Sequence, residues 1–251
     1  MIFCVKYSLM KKLLSTLTLS IGLCTLNAQE SDLSTYNISL ETGYTSQLIV
    51  NGVARHGDES SYLGFGFNKP LSFLNVHGSA LLVPEPNGDS SQSHWNLGVG
   101  KDLAIGEYGL GLSADVAHRQ HGAGIADTTE FSAKASLLNP WVTPFVKVLS
   151  DVDLEQDGYS VGITKSFDLL GSDNFSLNVA PTLEWFEYTD YSSVVAALDF
   201  DLSVENGFFS HFRPFGSVAY VDNDIDVANY NFASQKLDGD VNVKVGLKYS
   251  F

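Results

Sequence analysis

The sequence predicts an all-β protein, a transmembrane, antiparallel, up-and-down β-barrel of about twelve strands. Three observations predict it. Apolar and polar residues alternate with period two in many segments, the mark of strands with two unlike faces. No segment after the N-terminal leader approaches the 18 or so consecutive apolar residues of a membrane-crossing helix. And the chain opens with what reads as an export signal.

The leader comes first in the chain. Lys11 and Lys12 begin a basic stretch, and Leu13 to Leu26 follow as an apolar run. Leu26-Asn27-Ala28 then resembles a cleavage site before Gln29, although Leu26 is larger than the small residue favoured there. Residues 1–28 are therefore expected to be a cleaved signal peptide. Residues 10 onward already form a complete one, which makes Met10 a second candidate start. The apolar run is short for a transmembrane anchor, which needs about 20 residues. Both cysteines, Cys4 and Cys24, lie in this leader. The expected mature chain, 29–251, has no disulfide and no cysteine-held metal. Leu23 before Cys24 does not fit a lipidation signal, which wants a small residue there.

Turn signals divide the rest into strands near 36–51, 59–68, 71–83, 92–103, 106–119, 128–138, 141–150, 157–168, 173–188, 191–205, 210–222 and 239–251. The last is the clearest. Val241, Val243, Val245, Leu247, Tyr249 and Phe251 share one face, opposite Asp240, Asn242, Lys244, Gly246, Lys248 and Ser250. Phe131, Ala133, Ala135 and Leu137 oppose Ser132, Lys134 and Ser136 in the same way. Phe175, Leu177, Val179 and Leu183 oppose Asn174, Ser176, Asn178, Thr182 and Glu184, and Trp95, Leu97 and Val99 oppose His94, Asn96, Gly98 and Gly100. A soluble sandwich would turn such an apolar face inward, whereas a membrane barrel turns it to lipid. Polar faces rich in Gly, Ser and Asn suit a crowded lumen. Aromatics near strand ends, among them Tyr36, Trp95, Trp141, Trp185, Tyr188, Tyr191, Tyr220 and Tyr249, suit interfacial girdles.

The connectors supply a check on the count. Those at Asn68 to Pro70, Ala104-Ile105, Asn139-Pro140, Leu169 to Ser172 and Glu205 to Phe209 are short. Those at 52–58, 84–91, 120–127, 151–156 and 223–238 are longer and polar. With the N-terminus in the periplasm, every short connector of this set falls on the periplasmic side and every long one outside, as in bacterial barrels. Thr189-Asp190 is the exception, a short outer turn.

Charge narrows the functional classes. The 251 residues carry 14 Lys+Arg against 29 Asp+Glu, a formal charge of −15. Without Lys6, Lys11 and Lys12 of the leader it becomes −18. A body this acidic argues against nucleic acid as a partner and fits attraction of cations. No cofactor motif is present. A barrel lipase or deacylase would need a Ser beside a His on the rim. None of His56, His77, His94, His118, His121 and His211 stands in the His-x-Ser-Asn pattern of such enzymes, so no catalytic residue is expected. Asp151, Asp153, Glu155 and Asp157 alternate in one outer loop and Asp222, Asp224 and Asp226 in another. The first run lacks the Gly and Glu of a Ca²⁺-binding loop and reads as solvated charge, leaving only weak candidates for metal ligands.

Extending the alternation predicts that Glu41, His77, His94, Asp102, Asp115, Lys134, Lys147, Glu184, Asp199, Asp201, Arg213, Asp240, Lys244 and Lys248 face the barrel interior. They would either line a narrow aqueous passage or pair across it and plug it.

Two resemblances follow. Leu247, Tyr249 and the terminal Phe251 resemble the C-terminal recognition signal of outer-membrane β-barrels, which implies delivery to the barrel assembly machinery and a home among outer-membrane lipid and lipopolysaccharide. Residues 38–67 run Ile-Ser-Leu-Glu-Thr-Gly-Tyr-Thr-Ser-Gln-Leu-Ile-Val-Asn-Gly-Val-Ala, then a polar loop, then Tyr-Leu-Gly-Phe-Gly-Phe. They resemble the opening hairpin of TorF-type porins, in which a Thr-Ser/Asp strand runs into an Arg-Gly-Ile/Val-Ser turn. Asn51 stands here for the Arg and Ala54 for the Ser. The match covers roughly an eighth of the chain. It implies a porin-like diffusion channel without naming a solute. A non-conducting surface barrel, adhesive or structural and acting through outer loops such as 223–238 with Tyr230 and Phe232, is the competing expectation.

Overall fold

The computed structural model describes residues 37–46, 48–51, 53–56, 60–84, 91–120, 127–172, 175–204, 211–225 and 239–250. The leader 1–28, Tyr36, Asn174, Asp226, Phe251, the 205–209 connector and the Tyr230–Phe232 part of the last outer loop lie outside them. Among the described residues fifteen strands form: Asn37–Thr45 (β1), Leu48–Val50 (β2), Val53–His56 (β3), Ser60–Pro70 (β4), Asn75–Pro84 (β5), Ser91–Ile105 (β6), Tyr108–Gln120 (β7), Thr128–Leu138 (β8), Thr143–Asp151 (β9), Gln156–Thr164 (β10), Phe167–Ser172 (β11), Phe175–Tyr188 (β12), Ser192–Val204 (β13), Phe212–Asn223 (β14) and Asp240–Ser250 (β15).

The strands pair antiparallel, each with its neighbour in sequence once β2 and β3 are set aside, and β1 closes the circle on β15 from Ser39↔Ser250 to Thr45↔Lys244. β10 and β11 are two halves of one stave. β10 pairs with the outer half of β12 (Thr164↔Thr182) and β11 with the inner half (Phe167↔Val179) without a register change between them. The ladder breaks there because Pro181, opposite Lys165, has no N–H to give; the Lys165 N–H still donates to the Pro181 carbonyl at 3.2 Å. The result is a closed, all-antiparallel barrel of twelve staves, in which β11 pairs on one side only, with β12. β2 and β3 make a separate two-stranded hairpin between β1 and β4.

The two faces differ as alternation requires. On β9, Val146 and Val148 are 53% and 58% exposed, while Phe145 and Leu149 on either side of them are 6% and 4% exposed. Leu63, Leu97, Phe131, Ile163, Leu183, Leu198, Val218 and Val245 continue the exposed apolar face around the circumference. Among the described residues no helix is long and apolar enough to cross a membrane, which leaves strand crossings untouched.

Several turns sit a few residues from their predicted places, each for a local reason. The β6–β7 turn is Gly106-Glu107 rather than Ala104-Ile105, because Gly106 supplies the positive φ (63°) that the first position of a two-residue hairpin needs. The β4–β5 turn is 71–74, closed by the Leu71 N–H on the Leu74 carbonyl, so Asn68 to Pro70 stay in strand. Residues 169–172 belong to β11 and not to a connector. The first strand ends at Thr45, and the chain then spends 48–56 on the inserted hairpin. At the β8–β9 turn, Asn139 Oδ1 accepts the N–H groups of Trp141 and Val142, both at 2.9 Å.

Candidate functional site

The site is the barrel interior, and three layers of side chains build it. The outermost layer is partly dry. Leu149, Phe186, Tyr188, Tyr191 and Ile225 form a buried apolar cluster, with the rings of Tyr188 and Tyr191 stacked at 4.9 Å and 13°. At its edge lies Glu130, whose side chain is 4% exposed. Arg119, on the neighbouring strand, places Nη2 3.3 Å from Glu130 Oε1, and Lys147 Nζ stands 3.9 Å from the same oxygen. Tyr188 Oη donates to Glu130 Oε2 at 3.1 Å. The fifth member arrives from the far wall. Asn51, at the tip of the β2–β3 hairpin with φ 50°, directs Nδ2 at Glu130 Oε2 (2.6 Å) and at Tyr188 Oη (2.7 Å). A buried carboxylate is tolerable only with such charge and hydrogen-bond compensation.

The middle layer surrounds a cavity of about 720 Å³ lined by His94, Asp115, Lys134, Lys147, Glu184 and Lys244, among others. His77 Nε2 and Asp115 Oδ1 lie 2.7 Å apart. They sit on β5 and β7 and meet across β6 because Gly98, registered between them, has no side chain. Ser160 Oγ donates to Glu184 at 2.7 Å. The Lys134 ammonium lies 4.0 Å over the Phe145 ring, and Lys134 and Lys147 are direct cross-strand neighbours. Lys244 lies 3.5 Å from Glu41 and near the rings of Tyr62 (4.7 Å) and Phe215 (5.3 Å). Four bases and three acids therefore line the cavity: Arg119, Lys134, Lys147 and Lys244 against Asp115, Glu130 and Glu184.

The inner layer is open and acidic. Asp168 and Ser166 hold Asn178, and Asp201 is registered beside Asn178 on the next strand. Asp199, Asp102 and Arg213 are exposed, and Arg213 is registered opposite Lys248. Asp240, at the outer end of β15 opposite Val221, is exposed too. By register these charged residues occupy the same inward face as Lys134, but they are not among the residues that line the cavity.

Asn51, Arg119, Glu130 and Tyr188 are interior groups that the alternation alone does not single out. Parity with Asp115 and Lys134 was the available signal for Arg119 and Glu130. The Asn51-Gly52 dipeptide, a strong two-residue hairpin signal, was the signal for the inserted turn. Asp151 is buried, its Oδ1 accepting the N–H groups of Asp153 and Leu154 at 3.1 Å, while Asp153, Glu155 and Asp157 point to solvent. Among the described residues, no three His, Cys, Asp or Glu side chains stand close enough to hold a metal ion. Leu247 lies on the exposed apolar face of β15, and Tyr249 packs against Phe212 at 4.9 Å.

The geometry defines a closed twelve-stave antiparallel β-barrel, a fold shared with outer-membrane barrels of porin-like shape. Among solved structures, the KdgM porin in complex with disordered oligogalacturonate is similar with a TM-score of 0.53 at 8% identity, over 86% of this chain and 99% of that one. LpxR from Salmonella typhimurium gives 0.52 at 11%, over 85% and 100%. The COG4313 outer membrane channel from Pseudomonas putida F1 gives 0.51 at 10%, over 86% and 96%. Identities this low speak for the fold alone. No family model matches the sequence, and no curated protein matches it.

Proposed function

We propose that this chain is exported, inserts in the outer membrane, and acts as a narrow porin-like channel for passive diffusion of small polar solutes or ions, with a preference for cations. The observation that carries the reading is the inside-out distribution of polarity. A closed barrel exposes Leu, Val and aromatic side chains around its circumference and encloses a charged cavity of about 720 Å³. An exterior of this kind suits acyl chains of lipid and lipopolysaccharide, and a terminal Leu247–Tyr249–Phe251 pattern suits the barrel assembly machinery. The resemblance of residues 38–67 to TorF-type porins supports the same function. Cation preference rests on the two ends rather than the middle. Asp102, Asp168, Asp199 and Asp201 lie toward the inner mouth, and Asp153, Glu155, Asp157, Asp190, Asp222 and Asp224 are exposed at the outer one. Fixed acids at a pore mouth concentrate cations there.

A second reading, a non-conducting surface barrel, is favoured by the apolar cluster of Leu149, Phe186, Tyr188, Tyr191 and Ile225, which fills part of the outer end. Reconstitution in planar bilayers separates the two. Discrete conductance with a cation-biased reversal potential in a salt gradient supports the channel. A correctly folded, heat-modifiable barrel that never conducts overturns it.

A further inference from the structure

The β2–β3 hairpin joins β1 to β4, yet the side chain at its tip bonds to β8 and β12. In the barrel order β8 and β12 flank β9 and β10, which lie opposite β1 and β4. Asn51 therefore reaches across the lumen. It is anchored at 2.6 and 2.7 Å to two groups that are themselves buried and fixed, Glu130 by Arg119 and Lys147, and Tyr188 by the Tyr191 stack. Glu130 and Asn51 both line the cavity, so the contact lies on the path through it.

We propose that the β2–β3 hairpin is a gate over the outer mouth and that the Asn51 side-chain amide is its latch, closed on Glu130 and Tyr188. The proposal rests on the channel reading above for its consequence, but not for its geometry. Among the described residues, β2 and β3 pair with each other and not with the barrel's ladder. Losing the charge-assisted hydrogen bond at the tip would then favour release of the hairpin. The amide suits the task. It gives its hydrogens to a carboxylate already neutralised by two bases, whereas an acid there would be repelled.

Two readouts test the latch separately from conduction. Arg55 lies in β3, so trypsin added from outside reports hairpin release as a fragment ending at Arg55, read by mass spectrometry. The Asn51→Asp and Asn51→Ala variants should be cut there roughly tenfold faster than the unaltered protein or more, the population change expected for a lost bond to a charged group. Tyr188→Phe, which keeps the ring stack, should give a smaller rise. The same variants in bilayers should spend more time open. Faster cleavage without conductance keeps the latch and sinks the channel. Cleavage at Arg55 unchanged in Asn51→Asp overturns the latch, whatever the conductance.

Discussion

At Gly98 a missing side chain decides whether two others meet. A Cβ there would stand 2.1 Å from Asp115 Oδ1 and 2.5 Å from His77 Nε2. Gly98→Ala must therefore push the pair apart, and we expect a loss of about 1–2 kcal/mol, measured by denaturant unfolding of the refolded barrel. His77→Ala in the same background should cost little more, since the bond is already gone. Glu130 sets a larger stake. Arg119 beside it has a side chain only 9% exposed. Glu130→Ala would leave that guanidinium buried and unpaired, at a cost of about 3–5 kcal/mol. Glu130→Gln keeps an acceptor for Asn51 and Tyr188 and should be milder. Equal unfolding midpoints for the two variants would show that charge compensation plays no part.

Strands read well from sequence where their two faces have different solvents. On β15 every second residue from Val241 to Tyr249 is apolar, and one slip would expose Lys244 and Lys248 outward, so pattern and register are tied. A charge placed on the outer face tests this. Val245→Lys, in mid-strand and 44% exposed, should destabilise the barrel in a bilayer by about 2–4 kcal/mol, while Ser217→Lys on the inner face of β14 should change stability far less. Similar losses at both positions would mean that the exposed face does not meet hydrocarbon. Turns read less well, because Ala104-Ile105 and Gly106-Glu107 differ only in which pair tolerates a left-handed residue, and strand alternation is blind to that. Asn51 could be read as a turn residue from its neighbour Gly52. That it would dock on Glu130, 79 residues on, and Tyr188, 137 residues on, is a property of barrel closure that no local pattern carries.

For the whole molecule, charge is arranged in layers, and that arrangement decides how selectivity should behave. The cavity, lined by four bases and three acids, is nearly balanced and mostly committed to internal pairs. It should sort solutes by size and polarity more than by sign. Among the described residues, the exposed carboxylates Asp102, Asp168 and Asp199 lie toward one end and Asp153, Glu155, Asp157, Asp190, Asp222 and Asp224 toward the other. Exposed charges act over a Debye length, about 10 Å at 0.1 M salt and about 3 Å at 1 M. Cation bias that comes from the mouths should therefore be clear in dilute salt and nearly vanish at molar salt, whereas bias set by a charged constriction would persist. Asp199 and Asp201 occupy the inner mouth on one face of β13. Replacing both with Asn should lower the cation-to-anion permeability ratio in dilute salt, leave it unchanged at 1 M, and leave single-channel conductance at 1 M as it was. Reversal potentials across matched gradients at the two ionic strengths measure all three. A double variant as cation-selective as the parent in dilute salt would move the selecting charges away from this mouth, to the outer loops or to the Glu130 layer.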